Sequence, residues 1–168
     1  MRAGIALGSN LGDRLTHLRH ACAQILALPS VSLPVSYSRL YETDPVGTEV
    51  EALPFLNAAI EVDFDGQAIT LLDGLQSIEA SMGRPSKRPR NASRVIDLDI
   101  LYVGNLVLTN SEIVIPHPRL PTRRFVLQPL SDIRPDQVLP GQHATIAELL
   151  GALTSAERVE VFPESLQA

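Results

Sequence analysis

Two aspartates stand inside the most apolar stretch of the chain, Val95-Ile96-Asp97-Leu98-Asp99-Ile100-Leu101. Side chains alternate across a β-strand, so Asp97 and Asp99 share one face and Ile96, Leu98 and Ile100 the other. Their Cα atoms then lie roughly 6.5–7 Å apart, two strand rises of about 3.3 Å. Carboxylates at that spacing can converge on a metal pair about 3.5–4 Å apart. Acids within an apolar run are costly unless paired or bound to a cation. Oxygen ligands suit Mg²⁺, which takes one or two carboxylates and completes its shell with phosphate and water. The alternative is an amphipathic strand that shows its polar groups to solvent.

The loop just before the aspartates favours the metal. Arg84, Lys87, Arg88, Arg90 and Arg94 fall within eleven residues that contain no acid. The other nine cations face all nineteen acids, so the remainder of the chain carries −10. A solvated loop of surface ion pairs is the competing account. Triphosphate chemistry asks for this combination: metals bridge phosphate oxygens, and Arg or Lys holds the charge that develops on the transferring group. A loop bounded by Pro and Gly can close over such a substrate. No G-x-x-x-x-G-K-[ST] occurs, so this is not a P-loop protein. Gly8-Ser9-Asn10-Leu11-Gly12 lacks the lysine of a phosphate cradle and reads as a tight strand-to-helix turn that lines a pocket floor.

Phe55 and Asn57 share a strand face and suit a flat polar ring, Phe by stacking and Asn by offering a donor and an acceptor. Phe125, beside Arg123 and Arg124, is a candidate for the opposite wall. For both phenylalanines ordinary core packing is the alternative. His117, fixed between Pro116 and Pro118, can donate to a phosphate or ribose, or simply pack in a turn. His17, His20 and His143 have no metal-ligand spacing and read as structural or surface residues. Cys22 lies in an apolar helical run and reads as buried and inert.

The elements that must position these residues follow from periodicity. Gly4 to Leu7 reads as a short strand. Asn10 and Asp13 are candidate N-caps for a helix whose apolar stripe is Leu15, Leu18, Cys22, Ile25 and Leu26. A strand over 31–40, a loop over 41–53 around Thr43-Asp44-Pro45-Val46-Gly47, and a strand over 55–64 come next. A second helix runs from about Ala68 to Met82. The aspartate strand follows, with short strands over 106–108 and 113–115, a Pro-rich segment over 116–121, a short helix over 123–130, a helix near 146–153 and a strand near 159–162. Strand, helix, strand, strand, helix, strand is the ferredoxin-like order. The expected fold is α+β, an antiparallel sheet with helices packed on it and a C-terminal extension, in one domain over 1–168.

At 168 residues and 45% hydrophobic, the chain can bury one good core. With no Trp and only seven other aromatics, that core must be aliphatic. A net charge of −5 argues against a general nucleic-acid binder, and one Cys fits a reducing compartment such as the cytoplasm. No apolar run approaches the roughly 18 residues of a membrane span.

Taken in order, Leu7-Gly8-Ser9-Asn10-Leu11-Gly12, Tyr41-Glu42-Thr43-Asp44-Pro45-Val46-Gly47, Phe55-Leu56-Asn57-Ala58-Ala59, Ile78-Glu79 through Gly83-Arg84, Arg90 to Arg94, Asp97-Leu98-Asp99-Ile100-Leu101, Ile115-Pro116-His117-Pro118-Arg119 and Arg123-Arg124-Phe125-Val126-Leu127-Gln128-Pro129-Leu130 resemble the 6-hydroxymethyl-7,8-dihydropterin pyrophosphokinases of folate biosynthesis. The resemblance implies diphosphate transfer from ATP to the hydroxymethyl-dihydropterin, giving AMP. It implies that Asp97 and Asp99 hold two Mg²⁺. It implies that the pterin lies between Phe55 and Phe125, its edge read by Asn57 and the backbone of Thr43, Asp44, Pro45 and Val46. Arg84, Arg90, Arg94, His117 and Arg123 would contact the phosphates or ribose, Arg84 and Arg94 among them as catalytic groups. Gln76, Glu79 and the Ile100 backbone would lie near the nucleoside. The expected protein is a monomer that acts on small molecules, not on nucleic acid or membrane. The loop departs from a common family form: Asn91 follows Arg90 where Trp is frequent, Ser93 replaces a frequent Pro, and Ser86 a frequent base. Two other functions fit less: a ferredoxin-like module that binds nucleotide or RNA through 83–94, and the same scaffold acting on another hydroxymethylated heterocycle.

Overall fold

A computed structural model of the chain describes residues 1–45, 53–83 and 93–167. Its elements run β1 (Arg2–Ser9), α1 (Arg14–Leu26), β2 (Val31–Tyr37), β3 (Leu40–Thr43), β4 (Phe55–Phe64), α2 (Ala68–Ser81), β5 (Asp97–Val103), β6 (Leu108–Thr109) and β7 (Val114–Ile115). A 3-10 turn (Leu120–Thr122), α3 (Arg124–Ile133), α4 (Ile146–Ala152) and β8 (Val159–Phe162) complete them. The main sheet has the order β5-β1-β4-β3-β8, with β2 beside β4, and every pair is antiparallel. With β2 and β3 counted as one interrupted strand, this is the ferredoxin-like arrangement, widened by β8.

Two local expectations need correction. The single strand expected over 31–40 is two strands broken at Ser38 and Arg39. There the Ser38 hydroxyl accepts the Ala59 N–H at 2.8 Å, doing the work of a ladder carbonyl. Tyr41 to Thr43, expected as loop, are strand, because β3 is held between β4 and β8. The outer half of that support, β8, comes from residues more than a hundred positions away.

Ile5, Leu7, Leu56, Ile60, Val62, Leu98 and Ile100 face one way and pack against Leu18, Ala21, Cys22 and Ile25 of α1 and Leu71, Leu75 and Ile78 of α2. Removing that much apolar surface from water is what holds the helices on the sheet. Cys22 is 4% exposed, and burial pushes its thiol up to about 11, so it is an inert part of this core. Asp13 caps α1 by accepting the Thr16 N–H at 3.1 Å, while Asn10 does something else.

The other face is covered by α3 and α4 through Leu101, Tyr102, Val126, Leu127, Leu130 and Ile146. A register shift in β5, where Gly4 opposes Tyr102 but Ile5 opposes Ile100, places Leu101 and Tyr102 together on this side. Among the described residues no helix is long and apolar enough to cross a membrane.

Candidate functional site

Small residues recur along one face of β1 as Gly4, Ala6 and Gly8. Cross-strand partners share a face. Asp97 of β5, Gly8 and Asn57 of β4 therefore stand in one row, continued by Tyr41 of β3. Asp99, Ala6 and Ala59 form the next row, and Tyr102, Gly4 and Glu61 another. At the Gly4 end the trough is filled. Tyr102 lies over the glycine and donates to Glu61. At the Gly8 end Asn57 and Phe55 lean over the glycine: a Cβ there would sit 2.8 Å from Asn57 Oδ1 and 3.8 Å from Phe55 Cδ1. The two acids thus stand on one side of β1, and the aromatic and amide on the other.

Arg94 Nη1 approaches Asp97 Oδ2 at 2.6 Å. Burial, then the Asp97 charge, push Asp99 above the usual carboxylate range against the pull of His117, Arg123 and Arg94. With 42% of its side chain exposed, solvent screens part of that effect. His117 is anchored by its backbone N–H on the Leu101 carbonyl at 2.9 Å. Its Nδ1 accepts the Arg119 N–H at 3.2 Å, so the neutral ring carries its hydrogen on Nε2, which faces Asp99 Oδ2 at 4.0 Å. Burial pushes His117 down, Asp99 opposes this, and Arg123 and Arg119 reinforce it. The imidazole is therefore an uncharged donor at neutral pH.

On the heterocycle side, Asn57 Nδ2 donates to Thr43 Oγ1 at 2.7 Å, and both residues are buried. Asp44 follows at the end of β3, its N–H on the Arg158 carbonyl at 3.3 Å, and Pro45 is next in the chain. Phe125 is half-buried in the first turn of α3, with the Arg123 guanidinium 5.4 Å from its ring centroid. Phe55, Asn57 and Phe125 all lie on the α3 side of the sheet.

At the outer edge of β5, the Leu98 N–H donates to buried Glu79 at 2.8 Å. Glu79 is thus a brace for that edge as well as a neighbour of exposed Gln76 on α2. Alternation turns the Ile100 backbone N–H toward the same edge. Val46, Arg84 and Arg90 lie outside the described residues.

One residue had a role that the sequence reading missed. Asn10 is completely buried. Its amide donates to the Leu53 carbonyl at 3.3 Å and to Ser93 Oγ at 3.1 Å, and its Oδ1 accepts the Arg94 N–H at 2.7 Å. It ties the turn after β1 to the two segments that lead into 53–57 and 94–97. The available signal was Asp13, three residues before Thr16, which satisfies the α1 cap and leaves Asn10 without that job.

The residues present suit a hard cation shared with a ligand. Among the described residues no group of three or more His, Cys, Asp or Glu is built to hold a metal alone. Two facing carboxylates are enough when phosphate and water supply the remaining oxygens.

A family model described as 7,8-dihydro-6-hydroxymethylpterin-pyrophosphokinase (HPPK) matches residues 4–135. A Bacillus subtilis protein named 2-amino-4-hydroxy-6-hydroxymethyldihydropteridine pyrophosphokinase is 43% identical over 131 residues, covering 78% of this chain and 77% of its own. A Methylorubrum extorquens protein of the same name is 38% identical over 161 residues, covering 95% and 99%. Among solved structures, an HPPK-DHPS protein in complex with substrates superposes with a TM-score of 0.69 at 15% identity, over 90% of this chain. That likeness is one of fold, and the present chain spans 43% of that longer protein.

Proposed function

The chain belongs to the 7,8-dihydro-6-hydroxymethylpterin-pyrophosphokinase family, and on that ground we propose that it transfers the terminal diphosphate of ATP to 6-hydroxymethyl-7,8-dihydropterin in folate biosynthesis, releasing AMP. The observation that carries this assignment is the row Asp97, Gly8, Asn57. It sets an acidic edge suited to cations one strand away on one side of Gly8 and an edge suited to a flat ring one strand away on the other.

In this mechanism the pterin lies between Phe55 and Phe125. Asn57, oriented by Thr43, reads its amide edge together with the backbone at Asp44 and Pro45 and at Val46 beyond the described residues. Gln76 and the edge of β5 at Ile100, braced by Glu79, receive the nucleoside. Arg94, His117 Nε2–H and Arg123 meet the phosphates, joined by Arg84 and Arg90. Asp97 and Asp99 would hold two Mg²⁺, which would supply Lewis-acid chemistry, offsetting the charge on the phosphate oxygens and acidifying the attacking hydroxyl. The hydroxymethyl oxygen forms a bond to the β-phosphorus. The bond from that phosphorus to the oxygen bridging to the α-phosphate breaks, AMP leaves with the bridging oxygen, and the hydroxyl proton passes to water. Positioning and electrostatics lower the barrier, and no strong general base is required.

The test is to incubate the protein with ATP, Mg²⁺ and the dihydropterin and follow nucleotide products. AMP formed in step with pterin diphosphate is the expected result. ADP as the product, or no dependence on the pterin, refutes the proposal.

A further inference from the structure

We propose that Tyr41, acting through Asp132, is a positioning residue for the heterocycle: the pair fixes how α3 lies on the sheet and so sets the slot between Phe125 and the Phe55–Asn57 edge. This rests on the pterin site proposed above.

Tyr41 is directly opposite Asn57 in the β3–β4 ladder and on the same face. The residue is 2% exposed. Its hydroxyl is 2.8 Å from Asp132 Oδ2 and 3.0 Å from Oδ1, donating to the carboxylate of an α3 residue. Arg39 completes the clasp. Its backbone N–H donates to Asp132 Oδ2 at 3.0 Å, its Nη2 to Oδ1 at 2.9 Å, and its guanidinium lies 5.5 Å from the Tyr41 ring centroid. Phe125, Gln128 and Asp132 stand at i, i+3 and i+7, one stripe of α3. The stripe that carries the ring wall is therefore the stripe gripped by the strand that carries Thr43.

Burial, then Asp132, push the Tyr41 phenol up, so it remains a protonated donor. Hydrogen bonds to a charged acceptor are stronger and shorter than neutral ones, and they fix geometry as well as energy. The clasp also explains why a tyrosine is buried here. A phenylalanine would fill the same space without telling α3 where to stop.

The pterin side should respond most, because Arg123, although its guanidinium lies over Phe125, is outside the stripe and has its N–H held separately by the Leu120 carbonyl at 3.3 Å. The experiment measures binding of fluorescent 6-hydroxymethylpterin in the presence of a non-hydrolysable ATP analogue, and KM for ATP, for wild type, Tyr41→Phe, Asp132→Asn and the double variant. Thermal unfolding of each sets the assay temperature well below the lowest midpoint. Each single variant should bind the pterin about threefold to tenfold more weakly, the loss of one charged hydrogen bond felt at one remove. The double variant should lose little more than a single one, and KM for ATP should change less than twofold. Wild-type affinity for the pterin in both folded single variants, or equal losses for both ligands, overturns the inference alone. Failure of the wild type to bind the pterin overturns the site assignment, and the inference with it.

Discussion

Replacing Asn10 by Ala tests whether the turn after β1 governs the chemistry. Three hydrogen bonds disappear: to the Leu53 carbonyl, to Ser93 Oγ, and from the Arg94 N–H. The site is wholly buried, so water cannot replace them easily. At about 0.5–1.5 kcal/mol for each bond, the expected loss of stability is about 3 kcal/mol, which a typical domain survives. The Arg94 backbone loses the 2.7 Å contact that sets where its guanidinium meets Asp97. If half of that loss is expressed in the transition state, the rate falls about tenfold. Urea unfolding gives the stability term. Steady-state kinetics with varied ATP at saturating dihydropterin gives the catalytic one. Asn10→Asp, which keeps an acceptor for Arg94 but loses both donors, should fall between wild type and Asn10→Ala in rate. A stable Asn10→Ala, or one that is destabilised yet turns over normally well below its midpoint, refutes the link between this amide and Arg94.

Asp97→Asn and Asp99→Asn should each abolish AMP formation while leaving far-UV circular dichroism unchanged; near-normal turnover in either would remove that residue from the metal site. Gly8→Ala places a methyl 2.8 Å from Asn57 Oδ1; it should cost about 1–2 kcal/mol in stability and raise KM for the pterin about tenfold, with little change for ATP. Burial alone would push Glu61 up, but hydrogen bonds from Arg134, Tyr102 and Arg2 outweigh it and hold its carboxyl below the usual range. Because its folded value lies below its unfolded one, its stabilising contribution is present above the ordinary glutamate value of about 4.3 and is lost as pH falls through the folded value. Glu61→Gln should cost about 3 kcal/mol at pH 7 and flatten the acid limb of stability against pH, as followed by urea melts from pH 7 to 3.

Much of the site was legible because it follows strict local periods. Asp97 and Asp99 fall on one face of β5, and Leu98 and Ile100 on the other, as alternation requires. Phe55 and Asn57 likewise both lean over Gly8. The break at Ser38 was not legible, since a hydroxyl that substitutes for a ladder carbonyl leaves no periodic trace. Nor was β3, whose outer partner β8 lies at the far end of the chain. The Tyr41–Asp132 contact joins residues 91 positions apart, and no short-range pattern announces it.

Glu61 and Asp99 show why one end of this sheet face is structure and the other is a site. Both are acids on the same face, in neighbouring rows two residues apart along β1. Glu61 is 1% exposed in its side chain and receives Arg2 Nε at 2.7 Å, Arg134 Nη2 at 2.7 Å and the Tyr102 hydroxyl. Its charge is answered within the protein, and its carboxyl is held low. Asp99 stands beside a second carboxylate, and among the described residues only His117, an uncharged donor at 4.0 Å, comes within ion-pair distance. Its carboxyl is held high. A carboxylate that the fold itself leaves unfavourable is stabilised by whatever brings positive charge to it. Here that would be divalent ions carried in with a triphosphate.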